Sequence, residues 1–149
     1  MALPFNEKLL MLVPPSIYYR RRIENEIRTG EPELAILREL MPDGGTAIDV
    51  GANQGFFAFA LSEVADRVVS FEANPDYARF AKWMLRGRAE VHEVAISDQP
   101  GRATFYVPLS DEGMVLHFAG NLKQTHSQFK NQKTYDVELE DEDVFGMST

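Results

Sequence analysis

Residues 46–55 read TAIDVGANQG and decide the fold of this 149-residue chain. Thr46–Val50 is a short, mostly apolar run of the kind that forms a buried strand. Gly51 and Gly55 bracket a tight turn, and residues 56–64 continue as a very apolar helix. Glycines allow a backbone to approach a ligand closely, and the amides at a helix N-terminus point toward it. The pattern predicts a strand, a ligand-binding loop and a helix, although a plain tight turn would need the same two glycines.

The following segments repeat the alternation of strand and helix. Residues 67–72 and 90–96 are predicted strands, and Asn74 with Pro75 begins the helix between them. Strands separated by helices of this length form βαβ units with right-handed crossovers. We therefore predict an α/β fold, with a parallel sheet in the spatial order 3-2-1 and helices on both faces.

The flanking segments give weaker signals. Before residue 44, a first helix is predicted to be capped by Ser16 and to end at Gly30, and a second begins at Pro32. The predicted apolar residues of the first helix are Ile17, Tyr18, Ile23 and Ile27. After the third strand, residues 99–101 suggest the turn of a hairpin whose edge strand is 103–107, and residues 134–139 alternate like one more strand.

Charge and composition exclude several classes of function. The chain carries 15 basic and 23 acidic residues, a net charge of −8, which disfavours non-specific binding to nucleic acid or to an anionic membrane surface. It has no cysteine, which excludes disulfides and thiolate zinc sites and is compatible with the cytoplasm, where we expect the protein. The three histidines lack metal-ligand spacing, so no metal site is predicted. The acidic segment 136–149 is predicted to be a solvated segment or a truncated edge, with metal binding as a minor alternative.

The loop and the second strand favour one cofactor over another. Glu72 ends the strand beside the loop, where a carboxylate can accept hydrogen bonds from a ribose diol. A dinucleotide fingerprint requires glycine at the positions of Asn53 and Phe56, and Asp49 would bring a negative charge close to a pyrophosphate. S-adenosylmethionine has no phosphate and carries a sulfonium and an ammonium, so Asp49 and Glu72 suit it better than NAD.

Three motifs together resemble the FkbM-type family of S-adenosylmethionine-dependent methyltransferases. They are residues 46–55, residues 69–75 (VSFEANP) and residues 94–98 (VAISD) with Gly101, and the resemblance spans roughly residues 30–143. It implies a Rossmann-like class I methyltransferase fold. By this resemblance the methionine end of the cofactor is surrounded by Asp49, Gly51, Asn53 and Gly55. Glu72 holds the ribose, and Ile96 and Ser97 lie near the adenine.

The same family pattern continues into a fourth strand beside the transferred methyl group, which this chain does not reach. We therefore expect an N-terminal helical segment at 1–43 and, at 44–149, a truncated, cofactor-binding half of the domain, with no residue identifiable as a catalytic base. The expected function is methyl transfer to oxygen on a small molecule or sugar hydroxyl. The alternative is a non-catalytic module for cofactor binding or interaction, and a dinucleotide enzyme is a distant third.

An open sheet edge adds a final expectation. With neighbours on one side only, the apolar strand 46–50 would leave its other edge unpaired. Either residues 134–139 fold back beside it, or a second copy of the chain covers it. We expect a homo-oligomer.

Overall fold

The computed structural model describes residues 13–41, 44–109, 120, 122 and 131–141. The helices are α1 (Pro15–Thr29), a 3₁₀ turn (Pro32–Ala35), α2 (Leu37–Leu40), α3 (Phe56–Leu61) and α4 (Pro75–Met84). The strands are β1 (Thr46–Val50), β2 (Arg67–Phe71), β3 (Glu90–His92), β4 (Ala95–Ile96), β5 (Gly101–Pro108) and β6 (Gln132–Glu140).

The first sheet is parallel and has the order β1-β2-β3. Thr46 pairs with Arg67 and Val50 with Phe71, and β3 continues the sheet from Val69 paired with Glu90. Helices α3 and α4 connect the strands, which gives two consecutive βαβ units. The predicted α/β class, the parallel pairing and the strand order are confirmed.

The third predicted strand is wrong in one respect, because residues 90–96 do not form a single strand. They divide into β3 in the first sheet and β4 in a second sheet of order β4-β6-β5. The partner strand β2 ends at Phe71, and the chain turns there toward α4, so the amide of Glu72 makes the last bond, to the carbonyl of His92 (3.0 Å). With no parallel partner beyond that point, the chain changes sheets, and Ala95 pairs with Leu139.

The predicted hairpin after residue 99 is also wrong, although its edge strand forms. Strand β5 lies at the edge of the second sheet, but β6 separates it from β4. The alternating segment 134–139 is the centre of β6, whose antiparallel pairing with β5 runs from Gly101–Leu139 to Pro108–Gln132. A nine-residue strand with partners on both sides satisfies more backbone groups than a short hairpin. The same pairing rules out the predicted fold-back of residues 134–139 beside β1.

The helical segment before β1 differs from expectation in its cap and its buried side. Pro14 is the N-cap of α1 and Pro15 its first residue, so Ser16 lies inside the helix and caps nothing. A proline at the first helical position lacks an amide that needs capping, which lets the helix begin earlier. Tyr19 is fully buried, whereas the predicted core residue Ile17 is 46% exposed. The helix predicted from Pro32 breaks into the 3₁₀ turn and the four residues of α2.

One main core lies on the helical side of the first sheet. It joins Tyr19 of α1 to buried residues of the first sheet and its connecting helices: Ala47, Ala58, Phe59, Leu61, Val68, Ala81, Met84 and Leu85. On the other face of β1, Ile48 and Val50 remain 41% and 57% exposed. The prediction that this strand is buried, with helices on both faces of the sheet, is therefore wrong for this face, which no described helix covers at β1. A second, smaller core consists of Ala95, Phe105, Val107 and Val137 on the inner face of the second sheet.

The described part of the chain lacks a membrane-spanning helix and a metal-binding cluster. No helix there combines the length and the apolar character needed to cross a membrane. No cluster of three acidic, histidine or cysteine side chains there could hold a metal ion. The prediction of a solvated segment at 136–149 is wrong for residues 136–140, which belong to β6 and include the buried Val137, because pairing on both sides holds them in the second sheet. Residues 142–149 lie outside the described residues.

Candidate functional site

The loop between β1 and α3 depends on left-handed backbone conformations. Gly51 (φ 82°), Asn53 (φ 51°) and Gly55 (φ 83°) all have positive φ. The amides of Gly51 and Ala52 both donate to the carbonyl of Phe71 at 2.9 Å, which ties the loop to the end of β2. Glycine and asparagine adopt this conformation most readily, so the sequence dictates the turn.

Glu72 is the central polar residue of the site. It is only 7% exposed. Its Oε2 accepts a hydrogen bond from the amide of Asn53 (2.6 Å), and its Oε1 accepts one from the amide of Asn74 (2.7 Å). Burial raises the pKa of Glu72, and the two amides oppose that increase. The carboxylate therefore joins the loop to the N-terminus of α4.

Asn74 begins α4 as the sequence predicts. Its side-chain oxygen accepts a hydrogen bond from the amide of Asp76 (3.1 Å), Pro75 is the first helical residue, and Asp76 lies in the first turn. An acidic side chain there interacts favourably with the positive end of the helix. The start of α4 is thus held by its own cap and by Glu72.

Asp49 is a second acid near the loop, and it is partly buried. Burial raises its pKa to about 6, the neighbouring Glu72 carboxylate adds to the increase, and the Ala58 amide and the Ser70 hydroxyl reduce it. Among the described residues, its buried Oδ2 has no hydrogen-bond partner of good geometry. A buried carboxylate oxygen without a partner is costly, so the position is suited to a cationic or hydrogen-bond-donating ligand.

A cavity of about 310 Å³ opens at the carboxyl ends of β1 and β2. Of the predicted site residues, Gly51, Asn53, Glu72 and Ile96 lie on its wall. The remaining lining residues within the described ranges are Val50, Phe71, Ala73, Tyr77, Val94, Ala95, Phe105, Gly120 and Leu122. None of these is lysine or arginine, and Glu72 is the acidic member. The wall is apolar with one buried carboxylate.

Three predicted site residues lie away from this wall. Asp49 lies in β1, two residues before Gly51, and does not line the cavity. A Cβ built on Gly55 would lie 2.8 Å from Leu85 Cδ1 and 3.0 Å from the Tyr19 hydroxyl, so this glycine serves close packing under the loop. Ser97 follows β4, where its amide donates to the carbonyl of Glu140 (2.9 Å) and its hydroxyl to Asp98 Oδ1 (3.1 Å).

Sequence reasoning missed three aromatic residues of the site. Tyr77 and Phe105 line the cavity from α4 and β5. The Tyr19 hydroxyl donates to the carbonyl of Gln54 (2.8 Å) and supports the loop from α1. The periodicity of α4 includes Tyr77 on its apolar face, which is a usable signal. Tyr19 and Phe105 meet the site only through contacts distant in sequence, which no local pattern indicates.

The raised pKa of Asp49 predicts a pH dependence of stability. Its folded value of about 6 exceeds the usual value for an unfolded aspartate, about 3.9, so folding takes up a proton between these two values. This carboxyl therefore makes the protein less stable as pH rises from about 4 to about 6, by on the order of 1–3 kcal/mol. In urea unfolding, the free energy of unfolding of Asp49→Asn is expected to fall less than that of the wild type as pH rises over that range.

The matched control for this experiment is Glu90→Gln. Hydrogen bonding to Arg67 lowers the pKa of Glu90, so this carboxyl contributes stability that is lost as pH falls, which is the opposite sign. Identical pH profiles for the wild type and Asp49→Asn would contradict the assignment.

Comparison with known proteins completes the description of the site. The family model for the methyltransferase FkbM domain matches residues 49–143. No curated protein matches the chain in sequence.

Two solved structures are similar in fold. One is a TehB-like SAM-dependent methyltransferase from Corynebacterium glutamicum, at 23% identity and a TM-score of 0.38, covering 52% of this chain and 43% of that one. The other is DhpI in complex with SAH, at 23% identity and a TM-score of 0.37, covering 54% and 42%. The chain thus spans less than half the length of either.

Proposed function

We propose that this chain, which belongs to the family of methyltransferase FkbM domains, binds S-adenosylmethionine in the 310 Å³ cavity and serves the transfer of its methyl group. The observation that carries the proposal is electrostatic. The described wall contains the buried Glu72 carboxylate and no basic side chain. Asp49 lies off the wall but close enough to Glu72 to interact with its charge, and its Oδ2 has no well-aligned hydrogen-bond partner among the described residues.

This charge pattern discriminates between cofactors. A pyrophosphate would need lysine, arginine or free helix amides opposite its charge, and here it would face the Glu72 carboxylate on the wall with Asp49 nearby. A sulfonium and an ammonium gain from the same two carboxylates, because opposite charges attract strongly in a partly desolvated site. The arrangement therefore favours S-adenosylmethionine over NAD.

Each of the residues has a proposed role in holding the cofactor. Each Glu72 oxygen accepts one amide and retains a second lone-pair direction, which suits a ribose hydroxyl. Asp49, Gly51 and Asn53, with Gly55 below them, would face the methionine end. Ile96 on the wall, with Ser97 beside it, would face the adenine.

The chemistry proposed for the bound state is displacement at carbon. S-adenosylmethionine supplies a methyl group on positively charged sulfur, and the proposed acceptor is the oxygen of a small-molecule or sugar hydroxyl. The chain's contribution is orientation of the cofactor, since holding both reactants in line lowers the barrier by proximity. A general base for a poorly acidic hydroxyl is not assigned to any described residue.

Calorimetric titration of the purified chain tests the proposal. We expect saturable binding of S-adenosylhomocysteine at one site per chain and no binding of NAD under the same conditions. Binding of NAD without binding of S-adenosylhomocysteine would replace the proposal with a dinucleotide site.

A second candidate is a module that binds the cofactor without turnover. The described wall of the cavity contains no histidine, lysine or cysteine that could act as a base, and both Glu72 oxygens already accept amide hydrogen bonds. Tight binding of S-adenosylhomocysteine with no methyl transfer to any hydroxyl tested would favour this candidate.

We also propose that the chain forms a homo-oligomer through β1. This strand is the edge of the first sheet among the described residues, and Ile48 on its open face is 41% exposed. An unpaired, apolar edge favours pairing with another strand. Light scattering over a concentration series is expected to show a mass above that of the monomer, and Ile48→Lys is expected to reduce it. A monomer at high concentration, with β1 amides protected from hydrogen exchange, would contradict association.

A further inference from the structure

We propose that Asp76, Lys133 and Tyr135 form a polar clasp that holds the second sheet against α4 and thereby sets the width of the cofactor cavity. These three residues would be positioning residues for cofactor binding, without touching the cofactor themselves. The effect on cofactor binding rests on the proposed function, whereas the contacts among the three residues do not depend on any cofactor.

The clasp converges on one carboxylate. Tyr135 donates its hydroxyl hydrogen to Asp76 Oδ2 at 2.6 Å, and Lys133 Nζ donates to the same oxygen at 2.9 Å. The Lys133 ammonium also lies 4.5 Å from the centre of the Tyr135 ring. The other oxygen, Oδ1, accepts from Arg79 within α4 at 3.0 Å. Both oxygens of Asp76 therefore accept hydrogen bonds, and both donors to Oδ2 come from β6.

The backbone of Asp76 is also held in place, which helps to orient its carboxylate. The amide of Asp76 donates to the Asn74 side chain, which fixes the first turn of α4. Burial alone would raise the pKa of Asp76, but the hydrogen bonds from Lys133 and Tyr135 lower it overall. The group thus stays ionised at neutral pH, and charge-assisted hydrogen bonds of this kind are stronger than neutral ones.

The clasp bears on the cavity because its members are adjacent to wall residues on both sides. Tyr135 is the direct register partner of Phe105, a wall residue on β5. Asp76 precedes Tyr77, a wall residue on α4. The contact between Asp76 and Tyr135 therefore restrains the distance between Phe105 and Tyr77.

The alternation of β6 explains why these two residues face α4. Val137 is buried on the inner face of the second sheet, and Lys133 and Tyr135 share that face because side chains two residues apart in a strand point the same way. Thr134, Asp136 and Glu138 are exposed on the opposite face. The inner face is thus apolar at Val137 and polar at its Lys133 end, where it reaches α4.

The test measures docking and binding separately in the full chain. The sequence has no cysteine, so a spin label attaches only to a cysteine introduced by mutation. The two labelling positions are Lys82→Cys on α4 and Asp136→Cys on the outer face of β6. Pulsed electron paramagnetic resonance then measures the distribution of distances between the two labels, and so between α4 and β6. Calorimetry with S-adenosylhomocysteine measures the affinity of the unlabelled chain. The test variants are Tyr135→Phe, Lys133→Met and their combination.

Two control variants match the test variants without touching the clasp. Thr134→Ala alters the exposed face of the same strand, and Arg102→Met removes one positive charge from the same sheet. Circular dichroism confirms that each variant is folded before it is compared.

The combined variant is expected to broaden the distance distribution and to weaken binding of S-adenosylhomocysteine by about tenfold, with both controls like the wild type. An unchanged distribution would overturn the clasp, because apolar contacts alone would then dock the sheet. A broadened distribution with unchanged affinity would overturn its effect on the cavity. If the wild type binds no S-adenosylhomocysteine, the proposed function fails, and the distance measurement still decides whether the clasp exists.

Discussion

Glu72→Ala is expected to weaken the binding of S-adenosylhomocysteine by one to two orders of magnitude. Each buried polar group that loses its partner costs about 1–3 kcal/mol, and here the proposed ribose hydroxyls lose their acceptor. The amides of Asn53 and Asn74 lose theirs as well, so the loop and the start of α4 are no longer tied together. Calorimetric titration of the variant against the wild type measures the loss.

A conservative variant separates the two contributions. Glu72→Gln retains one carbonyl oxygen and replaces the other with an amide donor, which cannot accept from a backbone amide. We expect an affinity between those of the wild type and Glu72→Ala, because one of the two hydrogen bonds from the backbone amides is retained. Unfolding in urea measured in parallel shows how much of each loss is structural.

The matched control is Glu90→Ala, which removes the same charge from the strand next to β2. Its carboxylate is half-exposed and pairs with Arg67 at 2.7 Å, outside the cavity wall. We expect its affinity to equal that of the wild type. Unchanged affinity in Glu72→Ala would instead show that the cofactor binds elsewhere.

Gly55→Ala is expected to destabilise the fold by about 2–5 kcal/mol. A left-handed conformation costs an alanine about 1–2 kcal/mol, and overpacking in a filled core adds about 1–3 kcal/mol. The new Cβ would meet Leu85, which is fully buried, and the Tyr19 hydroxyl, which is held by Gln54. Neither neighbour can move without disturbing the main core. Urea unfolding monitored by circular dichroism measures the change.

Gly51→Ala is the natural comparison for this substitution. Its φ of 82° is almost the same as that of Gly55, but a Cβ there meets nothing within 4 Å. Only the conformational cost of about 1–2 kcal/mol should appear in its stability. Equal losses in the two variants would show that strain alone, and not packing against Tyr19 and Leu85, makes Gly55 necessary.

Local signals predicted the elements that surround the cavity. The strand at 46–50, the positive-φ loop between Gly51 and Gly55 and the Asn74 cap all formed as expected, although only one face of that strand is buried. Each of these signals acts within a few residues of chain, where steric and hydrogen-bonding preferences are strong enough to dominate. The position of Glu72 at the tip of β2 follows from the same local reading.

The sequence by itself thus determined the first sheet, its strand order and the loop that faces the cavity. Only the tertiary structure decided that β6 enters between β4 and β5, that Tyr19 supports the loop, and that Asp76 meets Tyr135. These contacts join residues far apart in the chain, and their free energies depend on which surfaces meet after collapse. Periodicity shows which face of a strand is apolar, but the partner of that face is selected by packing and hydrogen-bond satisfaction across the whole fold.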